Sequence, residues 1–205
     1  MRKILLTGFM PFCDQEINPS YEAVKKIKDY VESARIYKLE IPVVFKKSLD
    51  TVLDAIRKIN PDVVILIGQA GGRKDITPEI SAINMINANM PDNEGNQPRG
   101  VKIRDEGKDL YLSTLPNELI IKNLGLHEIP ASLSEDAGTY VCNYLLYGVL
   151  HFINTTPSYS RIKCGFIHVP FIEQQIKHNP NHPYMKLEQM TRGLELIIKT
   201  SLESI

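Results

Sequence analysis

Asp62-Val63-Val64-Ile65-Leu66-Ile67 is a near-continuous run of β-branched side chains. A half-exposed strand alternates apolar and polar residues. A run without that alternation predicts a strand buried on both faces, as in a parallel sheet covered by helices. Upstream, Lys3 to Thr7 has the same character, and Ile36 to Val44 predicts another strand. Two amphipathic segments fall between the strands. Ser20 predicts the cap of a helix from about Tyr21 to Val31, and Ser48 to Ile59 turns Val52, Leu53 and Ile56 inward. Strand, helix, strand, helix, strand within about 70 residues predicts an α/β fold, a largely parallel sheet with helices on both sides.

Downstream the pattern continues. Ile76 to Asn84 alternates and carries one acid, Glu79, among apolar residues. Residues 86 to 109 are rich in Asn, Asp, Gly and Pro and predict a long loop of the kind that is functional or mobile. Pro116 opens a short helix to about Leu124, and Ile129 to Leu133 predicts a strand. Gly138 and Thr139 open a helix whose apolar positions recur at Val141, Leu145, Val149 and Phe152. Ile162 to Val169 predicts a buried strand that carries His168 near its end. Residues 174 to 184 predict a loop before a last helix from Met185 to Leu202.

Composition narrows the function. A chain of 205 residues with 43% hydrophobic and 23% charged side chains is that of an ordinary globular protein, most simply one domain over residues 1–205. The formal net charge is zero, which predicts neither nucleic acid nor an anionic membrane surface as partner. No apolar run approaches the roughly 20 residues of a membrane span, and Thr7 and Gly8 interrupt the only signal-like start. Three cysteines without framework spacing fit a reducing cytoplasm.

In open sheets, ligand sites lie beyond the carboxyl ends of the strands. Two loops leave such ends: Gly8 to Phe12, with two aromatics, and Gly68 to Gly72. Gly71-Gly72 lacks the spacing of a phosphate cradle. Cys142 falls in the first turn of its helix, where the helix field favours the thiolate. It reads equally as a small buried hydrophobe, His168 as a satisfied structural group, and Glu79 as a surface strand carboxylate. Together they are the nucleophile, base and orienting acid that cysteine catalysis requires. Cys164 reads as core. His178 and His182 resemble a metal pair, but no further ligands support them, so no metal and no cofactor are expected.

The chain resembles the pyroglutamyl peptidase I family of cysteine peptidases nearly end to end. The residues that carry the resemblance are Thr7-Gly8-Phe9, Pro11-Phe12, Asn18-Pro19-Ser20, Gly68 to Arg73, Thr77-Pro78-Glu79, Ala82-Ile83-Asn84, Pro91-Asp92-Asn93, Gln97-Pro98, Ser113 to Pro116, Ala137 to Asn143 and Gly165 to Pro170. The resemblance implies a three-layer α/β/α sandwich with a mixed, mostly parallel sheet of the phosphorylase/hydrolase type. It implies removal of N-terminal pyroglutamyl residues from peptides, a Glu79–Cys142–His168 triad, and assembly as a homotetramer or dimer. It also implies a lactam slot walled by Phe9 and Phe12, with Asn18 and Gln69 as amide partners and Val141 alongside.

Some positions depart from the family pattern. Asn89 stands where the family usually has Arg, and Cys13-Asp14 stands in place of Gly-Gly. Glu135-Asp136 adds two negative charges upstream of Cys142, which predicts a higher thiol pKa. A divergent hydrolase or a non-catalytic lactam-binding protein therefore remain the alternatives, the binder disfavoured by the presence of all three triad residues.

Overall fold

The computed structural model describes residues 1–13, 15–177 and 179–205. Asp14 and His178, each part of a sequence expectation above, lie outside the described residues. Eight strands are present among the described residues: β1 (Arg2–Phe9), β2 (Tyr30–Val31), β3 (Ala34–Ile41), β4 (Val63–Gln69), β5 (Thr77–Pro78), β6 (Ser81–Ile83), β7 (Leu110–Leu112) and β8 (Lys163–Val169). The helices are α1 (Pro19–Lys26), α2 (Phe45–Ile59), α3 (Asn117–Leu126), α4 (Val141–Thr155) and α5 (Leu187–Glu203).

The main sheet runs β2-β3-β1-β4-β8-β5. Its central strands β3, β1, β4 and β8 are mutually parallel, and the short edge strands β2 and β5 pair antiparallel. Strand side chains alternate between faces, and that alternation sorts the core into two layers. Leu5, Val64, Leu66, Cys164 and Phe166 pack under α2 and α4. Ile4, Leu6, Ile65, Ile67, Ile167 and Val169 pack under α1, α3 and α5. The predicted α/β sandwich with a mixed, mostly parallel sheet is the observed one.

Several boundaries differ from the sequence reading. Helix α1 is capped by Asn18, whose Oδ1 accepts from the Ser20 backbone N–H at 3.1 Å, and Pro19 takes the first helical position. Ser20 is thus inside the helix, and its hydroxyl accepts from the Phe9 N–H at 2.9 Å. The helix stops at Lys26 because Tyr30 and Val31 are drawn into the sheet beside β3. Helix α2 begins at Phe45, three residues before the local signal at Ser48. Its first N–H is held by the buried carboxylate of Asp92 at 3.1 Å, a cap supplied from 47 residues away. Ile129 to Leu133, predicted as a strand, makes a bridge between Ala131 and Ile76, with Pro130 interrupting the ladder. Ile76 to Asn84 splits into β5 and β6, which pair with β8 and β7 respectively. β7 itself went unpredicted within a segment too short and polar to signal.

The long segment 86–109 is tied down. Asn84 Oδ1 accepts from the N–H groups of Ile103 and Arg104, both at 2.9 Å. Asp92 accepts from Glu94, Asn96 and Phe45. The Tyr140 hydroxyl donates to the Pro91 carbonyl at 2.9 Å, and Thr139 Oγ1 donates to the Asn87 carbonyl at 2.9 Å. The loop is thereby anchored beside the start of α4.

Candidate active site

The carboxyl ends of β4 and β8 and the amino end of α4 converge. Gly68 on β4 is the register partner of His168 on β8, so the two share a sheet face. A β-carbon at Gly68 would lie 3.1 Å from Cys142 Sγ and 2.6 Å from the tip of the Phe166 ring. The missing side chain is what lets the thiol reach the sheet. Phe166 also leans on the His168 ring, with centroids 4.7 Å apart.

Cys142 is delivered by a turn with a fixed shape. Gly138 has φ +77°, a conformation that L side chains rarely adopt, and its N–H is held by Asp136 Oδ1 at 2.8 Å. Tyr140 is the N-cap, and no side chain caps α4 among the described residues, so its first N–H groups stay available. Asn143, buried next to the thiol, clamps the helix to the β6 end: its Oδ1 accepts from the Ile83 N–H at 2.9 Å, and its Nδ2 donates to the Ile83 and Met85 carbonyls.

Glu79 follows β5 and is fully buried. Its Oε1 accepts from His168 Nδ1 at 2.6 Å and from Arg73 Nη1 at 2.7 Å. Burial alone would raise the carboxyl's pKa. The hydrogen bond and charge of His168, then Ser134 and Arg73, outweigh it and hold Glu79 below the usual glutamate range. Glu79 Oε2 has no partner in hydrogen-bonding geometry. An ionised carboxylate only accepts, so the imidazole proton sits on Nδ1 and the Nε2 lone pair is bare.

The thiol is raised, in the direction expected from Glu135-Asp136 and against the helix field, but by other groups. Burial, then the Glu79 charge, push Cys142 up to about 12, against a lowering by Arg73 and by its own backbone N–H. A helix terminus contributes about 0.3–1 kcal/mol, less than one pKa unit, so burial wins over the helix field. His168 is shifted down, by burial first, with Glu79 opposing and Arg73 assisting. The resting pair is therefore a neutral thiol and a neutral imidazole. Asp136 acts on His168, which it shifts upward, rather than on the thiol.

The expected slot residues are distributed unevenly. Phe9 lies in β1 rather than in a loop, buried, 6.4 Å from the Phe166 ring. Phe12 is half-buried on the same core face, in a surface pocket of about 360 Å³ shared with Cys13, Met90 and Pro91. Asn18 is buried and occupied. Its Oδ1 takes the Ser20 N–H and hydroxyl, and its Nδ2 donates to the Met10 carbonyl at 3.0 Å. Gln69 ends β4, and its Oε1 accepts from Gln175 Nε2 at 2.7 Å, which leaves the Gln69 amide hydrogens for a ligand. The Val141 side chain is sunk in the core and presents no surface for a ligand. Sequence reasoning missed Gln175 and Arg73 as members of the site; the first sits in a stretch read as loop, the second in a glycine-rich turn. No cluster of three or more His, Cys, Asp or Glu suited to a metal occurs among the described residues.

Comparison with known proteins accords with this geometry. The profile of the family described as pyroglutamyl peptidase matches residues 2–204. A pyrrolidone-carboxylate peptidase of Clostridium perfringens is 51% identical over 197 residues, covering 96% of this chain and 92% of the relative. Pyrrolidone-carboxylate peptidase 1 of Caldanaerobacter subterraneus is 44% identical over 203 residues, 99% of each chain. The crystal structure of pyroglutamyl peptidase I from Bacillus amyloliquefaciens superimposes with a TM-score of 0.95 at 42% identity, covering 99% of this chain and 98% of that one.

Proposed function

The chain belongs to the pyroglutamyl peptidase family, and from that premise we propose how its residues remove an N-terminal pyroglutamyl residue from a peptide. The reaction is that of a cysteine-type omega-peptidase. The observation that carries the assignment of roles is the 2.6 Å bond from His168 to buried Glu79, on the sheet face where Gly68 leaves room for the Cys142 sulfur.

Catalysis starts from the neutral pair. As Cys142 Sγ attacks the pyroglutamyl carbonyl carbon, its proton passes to His168 Nε2, and the imidazolium is stabilised by ionised Glu79. The carbonyl oxygen takes up the electron pair and is received by uncapped N–H groups at the start of α4. Collapse of this intermediate breaks the C–N bond, and His168 returns its proton to the departing amine. Water then attacks the thioester, with His168 again accepting a proton, and pyroglutamate leaves as the free acid while the thiol is restored.

Recognition of the lactam falls to Phe9 and Phe12 as apolar walls and to the Gln69 amide, oriented by Gln175. Asn18 shapes the wall by holding the Met10 carbonyl and has one amide hydrogen to spare. The Val141 backbone lies alongside. Such a slot discriminates against an open-chain amino terminus, because burying an unpaired ammonium costs several kcal/mol, about a thousandfold or more in rate.

Residues 1–205 act as one catalytic domain, supported by two apolar layers that share a single sheet. Assembly as a homotetramer or dimer is supported by family resemblance and by exposed apolar side chains on β6 and β7, Ile83, Leu110 and Leu112. A cytoplasmic setting is supported by three cysteines without disulfide-framework spacing.

The test is a fluorogenic pyroglutamyl amide. It should be cleaved, and the same amide bearing Gln or Glu should not. Comparable rates on the open-chain substrates would overturn the neutral slot and favour a general aminopeptidase.

A further inference from the structure

Arg73 stands outside the proposed triad, yet among the described residues it is the Lys or Arg that pairs with it. From the turn after β4, one guanidinium reaches three acceptors on two segments. Nη1 donates to Thr77 Oγ1 at 2.6 Å and to Glu79 Oε1 at 2.7 Å, and Nη2 donates to the Asp136 carbonyl at 2.8 Å. The first two anchors lie in and just after β5, and the third lies in the turn that leads to Cys142. We propose that Arg73 is a positioning residue: its fork locks the Glu79 carboxylate against His168 and ties that pair to the turn that delivers the thiol. This inference rests on the peptidase reading above.

The physical need is specific. Glu79 is fully buried, whereas the Arg73 side chain is 30% exposed and keeps contact with water. A buried carboxylate without a counter-charge takes up a proton. His168 supplies a cation only when protonated, so in the resting site Arg73 is the full positive charge at the Glu79 carboxylate, beside the hydrogen bond from the neutral imidazole. A protonated Glu79 would donate to Nδ1 and move the imidazole hydrogen to Nε2, the wrong tautomer for a base. Lysine would keep the charge and lose the fork, since one ammonium presents no planar pair of donors to both Glu79 and Asp136.

The charged groups facing His168 are Glu79 after β5, Arg73 after β4 and Asp136 before α4; those facing Cys142 are Glu79 and Arg73. Arg73 shifts both His168 and Cys142 downward. Its removal raises the thiol directly and raises the pH at which Glu79 ionises; because only the ionised carboxylate keeps Nε2 free to act as base, the acid limb of the pH–rate profile must move to higher pH.

The experiment compares the full-length wild type with Arg73→Gln, Arg73→Lys, Glu79→Gln and the Arg73→Gln/Glu79→Gln pair. Each is assayed on a fluorogenic pyroglutamyl amide across pH, and alkylation of Cys142 by iodoacetamide is followed by mass spectrometry. Arg73→Gln should lose about 10- to 100-fold in kcat, the scale of lost support for a catalytic group, with KM changed far less. Its acid limb and its half-maximal alkylation pH should each rise by about one unit. Arg73→Lys should keep the wild-type limb and still lose kcat. In the Glu79→Gln background, Arg73→Gln should add little, because it acts through Glu79. A folded Arg73→Gln with wild-type kcat and acid limb would overturn the proposal, as would full additivity in the double variant. If Arg73→Gln does not fold, Arg73→Lys decides: wild-type kcat overturns the fork. A wild type that leaves pyroglutamyl amides intact would instead refute the peptidase reading, while the alkylation profile would still report on Arg73.

Discussion

Gly68→Ala tests the construction of the site at a single methyl group. The added carbon would stand 2.6 Å from the Phe166 ring tip and 3.1 Å from Cys142 Sγ. Ordinary carbon contacts begin near 3.5 Å, so the ring must retreat by roughly 0.9 Å and the sulfur by a few tenths. Phe166 is buried, with Gly68 at its tip and the His168 ring 4.7 Å from it between centroids. Overpacking of this kind costs about 1–3 kcal/mol of stability, a Tm drop of roughly 2–10 °C for a chain of this size. The effect on chemistry is larger, because about 1 Å of misplacement at a reacting group costs on the order of a hundredfold. Turnover of a fluorogenic pyroglutamyl amide should fall mainly in kcat, with the protein still folded by calorimetry. A variant with kcat/KM within threefold of wild type and an unchanged Tm would show that Gly68 does not clear the space for the thiol, and the reasoning would fail.

Other outcomes follow from the same geometry. Cys142→Ala should abolish turnover, whereas Cys13→Ser should leave most of it and Cys164→Ser should lower Tm more than activity; loss of turnover on changing Cys164 alone would reverse the assignment of the nucleophile. Because His168 is shifted below its ordinary 6.5 and must be neutral to accept the thiol proton, kcat/KM should rise with pH through a limb below 6.5; a limb above pH 7 would contradict the neutral resting pair. Asp136→Asn keeps the turn and removes a charge that raises His168, so the limb should move lower still, most clearly at low ionic strength since Asp136 is exposed. The folded-state pKa of Glu79 lies below 4.5, so its contribution to stability is full above 4.5 and is lost as pH falls through the folded value; a Tm that does not fall on acidification, or falls equally in Glu79→Gln, would refute the pairing. Asp92→Ala should remove the remote cap of α2 and loosen segment 92–96, at about 1–3 kcal/mol, measurable by urea titration.

The sequence by itself determined what depends on local pattern. The β-branched run of β4 and the helical spacing of α4 follow from neighbours a few residues apart, and they hold in any compact setting. Glu79, Cys142 and His168 were singled out as the proposed triad too, through motif resemblance. Tertiary structure decided the rest. Glu79 and His168 are separated by 89 positions and meet at 2.6 Å only because β5 pairs antiparallel with β8. Asn18 was expected to face the lactam and is instead largely consumed by its own helix. Phe45 begins α2 on the strength of a carboxylate 47 residues away. The sequence set a lowering helix field against raising charges at Glu135 and Asp136; the thiol is raised, but by burial and Glu79, because the helix field is set by local backbone, whereas burial is set by everything that packs against it. Arg73 stands in a quoted motif, but nothing local marks it as a clamp: its guanidinium becomes one only when β5 and a turn 63 positions away bring their oxygens within its reach.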